Sequence, residues 1–121
     1  MEERSNYKNE LLDAWEETYK KGQLTLWVFL ALKERPRYVD EIKKFVADKS
    51  NGTISCEEQS LYRTLRKYKE LDIVAYEQRP GQGGPERKYY YLTELGTELL
   101  HDFIERNIKL FFKSEIMSLI S

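Results

Sequence analysis

The chain has 121 residues, the size of one ordinary domain, and 40% of them are apolar, with nine Tyr, five Phe and two Trp; that is enough to bury a core and too aromatic for a disordered chain. Twenty basic residues against twenty-one acidic ones leave a net charge of -1, so any nucleic-acid role has to rest on local charge and not on a basic total. A single cysteine, Cys56, and a single histidine, His101, exclude an intramolecular disulfide, a multi-thiolate metal site and a His–His pair, and no metal or other cofactor is expected.

The N-terminus, Met1-Glu-Glu-Arg-Ser-Asn6, is acidic and polar and does not read as a secretory signal. The most apolar run, residues 24–32, is far shorter than the ~20 residues a membrane span needs. A cytoplasmic protein with no membrane partner is expected.

Along the chain, Tyr7, Leu11, Trp15 and Tyr19 recur every four residues and predict a first helix with an apolar stripe, ended by Gly22. Residues 23–34 are apolar almost all round and predict the central core helix, closed by Pro36. Asp40, Ile42, Phe45 and Val46 mark a shorter third helix, and the Asn-Gly of residues 49–53 a turn. Ser55-Cys-Glu-Glu58 has the capping-box pattern and predicts a fourth helix running from there to about Leu71. Leu61, Leu65 and Tyr68 form its inner seam; at ~100° per residue Gln59, Arg63, Arg66 and Lys67 project near the opposite face, with Ser60 at the edge and Tyr62 on the flank.

The period then changes. Residues 73–79 and 87–92 are rich in β-branched and aromatic side chains, and the Gly/Pro cluster of residues 80–85 between them reads as a turn outside both strands, giving a hairpin. Thr93 caps a last, long helix to the end of the chain, apolar on more than one face. The expected fold is mainly α with a two-stranded β-wing: a single domain over 1–121, with an N-terminal dimerisation helix (1–21), a winged helix-turn-helix (22–92) and a C-terminal dimerisation helix (93–121).

Two stretches carry a specific resemblance. Ser60-Leu-Tyr-Arg-Thr-Leu-Arg-Lys-Tyr-Lys-Glu-Leu-Asp-Ile-Val74 is similar to the recognition-helix signature of the PadR-type transcriptional regulators. Gly84-Pro-Glu-Arg-Lys-Tyr-Tyr-Tyr-Leu-Thr-Glu-Leu-Gly96 resembles that family's second wing strand and its Leu-Thr-x-x-Gly corner. Their order and spacing agree over about residues 22–100, and the chain ends soon after the last helix, as in the family's short branch. Four positions depart from the pattern: Val39-Asp40 stands for a Gly-Tyr pair, Arg63 for a Pro, and Asp72 for a Gly. The resemblance implies a homodimeric regulator, a repressor on a palindromic operator, and no enzyme; the residues themselves offer no legible set of nucleophile, base and orienting group.

The expected partner is double-stranded DNA. Gln59, Ser60, Tyr62, Arg63, Arg66 and Lys67 are the candidate contacts on the fourth helix, and Arg79, Gln82, Arg87 and Lys88 those around the wing tip. A solvated charged face is the plain alternative for each cluster. Tyr7, Leu11, Trp15, Tyr19, Phe103, Ile104, Ile108, Phe111 and Phe112 are candidates for the dimer interface. Trp15, Trp27 and Phe103 are candidates for a pocket taking a small aromatic effector, with core and interface packing as the plain reading. Cys56 reads as an incidental thiol and His101 as an exposed or interface residue. The competing function is a winged-helix module that docks protein; six acids against four bases in the first 21 residues keep it open.

Overall fold

The computed structural model describes residues 2–121, so the helix expected over 1–21 is seen from Glu2 onward. Six helices and one hairpin follow in chain order: α1 (Glu2–Lys20), α2 (Gln23–Glu34), α3 (Val39–Lys49), α4 (Glu58–Glu70), β1 (Val74–Gly81), β2 (Gly84–Leu92), α5 (Glu94–Asn107), a 3-10 turn (Lys109–Phe112) and α6 (Ser114–Ile120).

Gly22 separates α1 from α2 in the left-handed conformation, φ 81°, which costs a glycine nothing. α2 is the hub. It buries Val28, Phe29, Ala31 and Leu32, and its Leu24, Leu26, Trp27 and Leu30 are half-buried. It ends where Arg35 turns extended ahead of Pro36, as the proline ring demands of its predecessor. α3 adds Ile42 and Val46 to the core, α4 adds Leu61 and Leu65, and Tyr68 meets Phe29 edge to face at 5.0 Å. Ile54, Ile73, Val74 of β1, Tyr90 of β2 and Leu100 of α5 complete it.

Arg37, between α2 and α3, is the one buried charged side chain among the described residues. Its guanidinium donates to the Ala31 carbonyl and to Glu34 at 2.5 Å, and lies 4.7 Å from the Phe45 ring centroid. Its backbone pairs with Tyr90 (N–H to O 3.0 Å, and 2.8 Å in return), which stitches the base of the hairpin to the α2–α3 connection.

The fourth helix does not start at Ser55. Ile54 is buried and its N–H is held by the Ser50 hydroxyl at 3.2 Å, so residues 54–57 stay non-helical. Glu57 takes the cap position without a side-chain bond, and Ser55 is left exposed outside the helix. The far end closes in a Schellman motif: Ile73 N–H reaches Tyr68 O at 2.9 Å and Asp72 N–H reaches Lys69 O at 3.1 Å. This puts Asp72 at φ 62°, the left-handed site where the family pattern has glycine.

The hairpin is longer than expected. β1 and β2 pair antiparallel with Tyr76 opposite Tyr90 and Arg79 opposite Arg87, and the ladder resumes at Gly81–Gly84 after a register shift beside Pro80. A proline inside a ladder sits at such an irregularity because it has no N–H to donate. Only Gln82 and Gly83 form the tip.

The last helix is not continuous. α5 stops at Asn107, whose side chain bonds back to the Phe103 carbonyl at 3.1 Å, and Lys113 is extended before α6 begins. Such a local bond competes with the helical ladder.

Candidate nucleic-acid interface

α4 and the hairpin form the two walls of an open groove of about 750 Å3. Tyr62, Arg66 and Lys69 enter it from α4, at spacings of four and three that place them on one flank of a helix. Tyr76, Arg87 and Lys88 enter from the hairpin, and Tyr38 from the start of α3. Gln59 and Arg63 stand exposed on the outward side of α4; Ser60 is half-buried at its edge. Gln82 is exposed at the wing tip.

Among the described residues, no carboxylate lies within 4.0 Å of the charged nitrogens of Arg63, Arg66, Lys67, Lys69, Arg87 or Lys88. Arg79 differs, since its guanidinium closes on Glu77 of its own strand, with Nε donating at 2.6 Å. Asp40, Glu58 and Glu86 also line the groove, but none pairs with these cations.

Aromatic faces take the place of counter-ions for Arg87, Lys88 and Lys69, and Arg79 has one beside its carboxylate. Arg87 lies 4.4 Å from the Tyr38 ring centroid, Arg79 4.7 Å from Tyr89, Lys88 4.7 Å and Lys69 5.3 Å from Tyr76. A ring quadrupole holds a cation without neutralising it, so the charge stays available to an incoming anion. Tyr38 and Tyr89 also meet edge to face at 5.4 Å.

Sequence reasoning counted Lys69 in the acid-free basic run from Leu61 to Lys69 but not among the contacts, and it named neither Tyr38 nor Tyr76 as part of the site. Helical projection puts Lys69 on the flank of α4, and only the path of β1 turns that flank into a groove wall. Tyr38 lies outside any helix, close to the groove only because Arg37 is bonded to β2.

Lys67 leaves α4 on the other flank. It walls a second cavity of about 600 Å3, among whose other walls are Tyr19, Phe29, Tyr68, Leu99 and Phe103. Phe103 is the sole member of the expected effector pocket found there: Trp15 projects from α1, 73% exposed, and Trp27 is half-buried in α2. The three do not form one pocket, because α1 carries Trp15 away from the fold.

α1 buries no residue. Tyr7 and Tyr19 are each 62% exposed, and Leu11 lies bare between them. Phe103, Phe111 and Phe112 are likewise exposed, whereas Ile104 packs half-buried on the core and Ile108 faces the second cavity. Burial pushes the Cys56 thiol up, against a weaker pull from Lys43, which disfavours the thiolate. His101 is exposed near Asp102 and Glu105.

Three core-packed helices followed by a hairpin, with the third of them and the hairpin flanking a groove of unpaired cations, define a winged-helix protein. The model of the PadR-like family of transcriptional regulators matches residues 28–102, and the chain belongs to that family. It is thus a transcriptional regulator and not an enzyme. A PadR-like transcription factor from Bacteroides fragilis is 27% identical, with a TM-score of 0.66 over 89% of this chain and 99% of that one. A PadR family regulator from Eggerthella lenta shares the fold at a TM-score of 0.71, with 23% identity over 95% and 96% of the two chains. Bacillus subtilis PadR, solved in complex with operator DNA, shares it at 0.61 with 20% identity; the match covers 67% of this chain and 46% of that one. No helix among the described residues is long and apolar enough to cross a membrane.

Proposed function

We propose that this regulator binds double-stranded DNA in the cytoplasm as a homodimer, with α4 in the major groove and the hairpin against the backbone, and that it represses transcription. The observation that carries the reading is the row of unpaired cations shared by α4 and the hairpin. Cations without carboxylate partners have no ion pair to break before they meet phosphates, and the cations they displace from the duplex drive association as they are released. An exposed Arg on such a helix can also pair with guanine. That a fold neighbour was solved on operator DNA supports the same reading.

The bare stripe on α1 and the exposed aromatics after Asn107 support the dimer, since a surface this apolar is ordinarily covered. A two-fold dimer would meet half-sites about 34 Å apart on a palindromic operator. Repression follows if the bound dimer and the polymerase compete for one stretch of promoter.

The test is DNA titration at several salt concentrations. Losing Arg63 or Arg66 to Ala costs about 1–3 kcal/mol if the side chain reads a base, and lowers the salt slope by about one if it meets a phosphate. Lys67→Ala, on the cavity side of α4, has the smaller effect. If Arg63→Ala and Arg66→Ala both keep the parent affinity and slope, α4 does not contact DNA, and a protein-docking module becomes the better account.

A further inference from the structure

Two ammonium groups from different elements lie over one aromatic ring. Lys69 comes from the last turn of α4 and Lys88 from the middle of β2, and both settle on Tyr76 of β1, at 5.3 and 4.7 Å from its centroid. Neither has a carboxylate within reach among the described residues. Each ammonium is thus held by the negative face of one and the same ring, with no carboxylate to neutralise it. Tyr76 is itself fixed, half-buried against the core and tilted on Tyr90 at 5.6 Å, while Tyr90 is tied by its backbone to Arg37. The site lies where the helix wall and the hairpin wall of the groove converge.

We propose that Tyr76, Lys69 and Lys88 form a clamp for a single DNA backbone phosphate, with Tyr76 as the positioning residue that presents the two ammonium groups together. The proposal rests on the DNA-binding reading and adds to it the place where helix and wing are locked to the same strand. A phosphate anion supplies the negative charge that neither lysine has from a carboxylate, so the pair is poised to take one. Arg87 on Tyr38 is arranged in the same manner at a separate ring, which leaves it as an independent comparator.

The clamp reads charge and not base sequence, so the probe is a fluorescein-labelled duplex of mixed sequence, titrated between about 50 and 200 mM salt, where phosphate contacts dominate affinity. Tyr76→Phe keeps the ring and is expected to bind as the parent does. Tyr76→Leu removes the ring face while keeping an apolar side chain, and is expected to weaken binding several-fold and lower the salt slope. In a Lys69→Ala/Lys88→Ala background, Tyr76→Leu should change nothing further. The two lysine substitutions should also be non-additive, the double variant losing little more than either single one, because either loss opens the clamp. This second arm needs no change at Tyr76 and so holds even if Tyr76→Leu fails to fold.

Equal losses from Tyr76→Leu with and without the lysines would make the tyrosine merely structural and overturn the proposal. So would Tyr76→Phe binding as weakly as Tyr76→Leu, or additive lysine effects. If the parent protein does not bind the duplex at all, the DNA-binding reading fails and takes the clamp with it; if the parent binds and Arg87→Ala weakens it while the clamp variants do not, only the clamp falls.

Discussion

At Gly96 a single hydrogen decides whether the hairpin can meet the helix that follows it. A Cβ built there would lie 2.1 Å from the Ile73 carbonyl oxygen, a backbone atom that cannot swing aside. The same corner is held by Thr93, which caps α5 by accepting from Gly96 N–H at 3.0 Å and donates its hydroxyl to the Asp72 carbonyl at 2.7 Å. Gly96→Ala should therefore cost at least the ~1–3 kcal/mol of an overpacked site, read as a lower midpoint in chemical denaturation. Unchanged stability would mean that the corner has room to open. A second residue-scale expectation concerns pH. The Arg37 guanidinium bonded to Glu34 holds that carboxyl below its ordinary value of 4.5, and Lys109 does the same to Glu105. A depressed folded-state pKa gives stability that is present above the unfolded value and lost as pH falls through the folded one. The melting temperature should thus decline on acidification below about 4.5. The double variant Glu34→Gln/Glu105→Gln should lose part of that decline; both groups are exposed, so the change is small.

At the scale of the element, α4 serves two ends with two faces. Leu61 and Leu65 are almost fully buried, while Arg63 and Arg66 are exposed a few residues away on the same helix. Leu65→Ala should lose ~2–5 kcal/mol of stability through the cavity it leaves. Arg63→Ala and Arg66→Ala should stay within ~0.5 kcal/mol of the parent in thermal unfolding, as surface changes do. If an arginine variant unfolds as readily as Leu65→Ala, the face assignment is wrong. This face division was legible in the sequence because the 3.6-residue period is local. The ends of elements were less so. Ser55 has the chemistry of a cap, yet the burial of Ile54 just before it draws the chain away from helical geometry. The proline at residue 80 is a breaker by itself, yet the ladder runs past it to one further pair, Gly81–Gly84, through one irregular step. Asn107 interrupts what the apolar pattern reads as one helix, since a pattern of apolar positions does not register a side chain bonding its own backbone.

For the whole molecule, the question is what covers α1. A helix that buries nothing in its own fold and carries Trp15 at 73% exposure is the surface on which the proposed dimer rests. The full chain should scatter light as a dimer, and removing residues 1–21 should give a monomer or an aggregate. A well-behaved monomer from the full chain would refute the two-fold assembly. By itself the sequence determined the first four helices, the hairpin, the inner seam of α4 and the family, because periodicity, turn residues and two ordered motifs are written in neighbouring positions. It also brought most of the basic residues of the groove to notice, as a run of charge without acids from Leu61 to Lys69. What only the tertiary structure decided is which of those charges meet. Lys67 and Lys69 stand two apart in sequence and face different cavities, because helical rotation parts them and β1 closes beside only one. Tyr38 and Tyr76 join the groove through contacts that span dozens of residues, and Trp15 and Trp27 are kept apart by the turn at Gly22. Such pairings depend on how elements pack in space, and no local rule of spacing contains them.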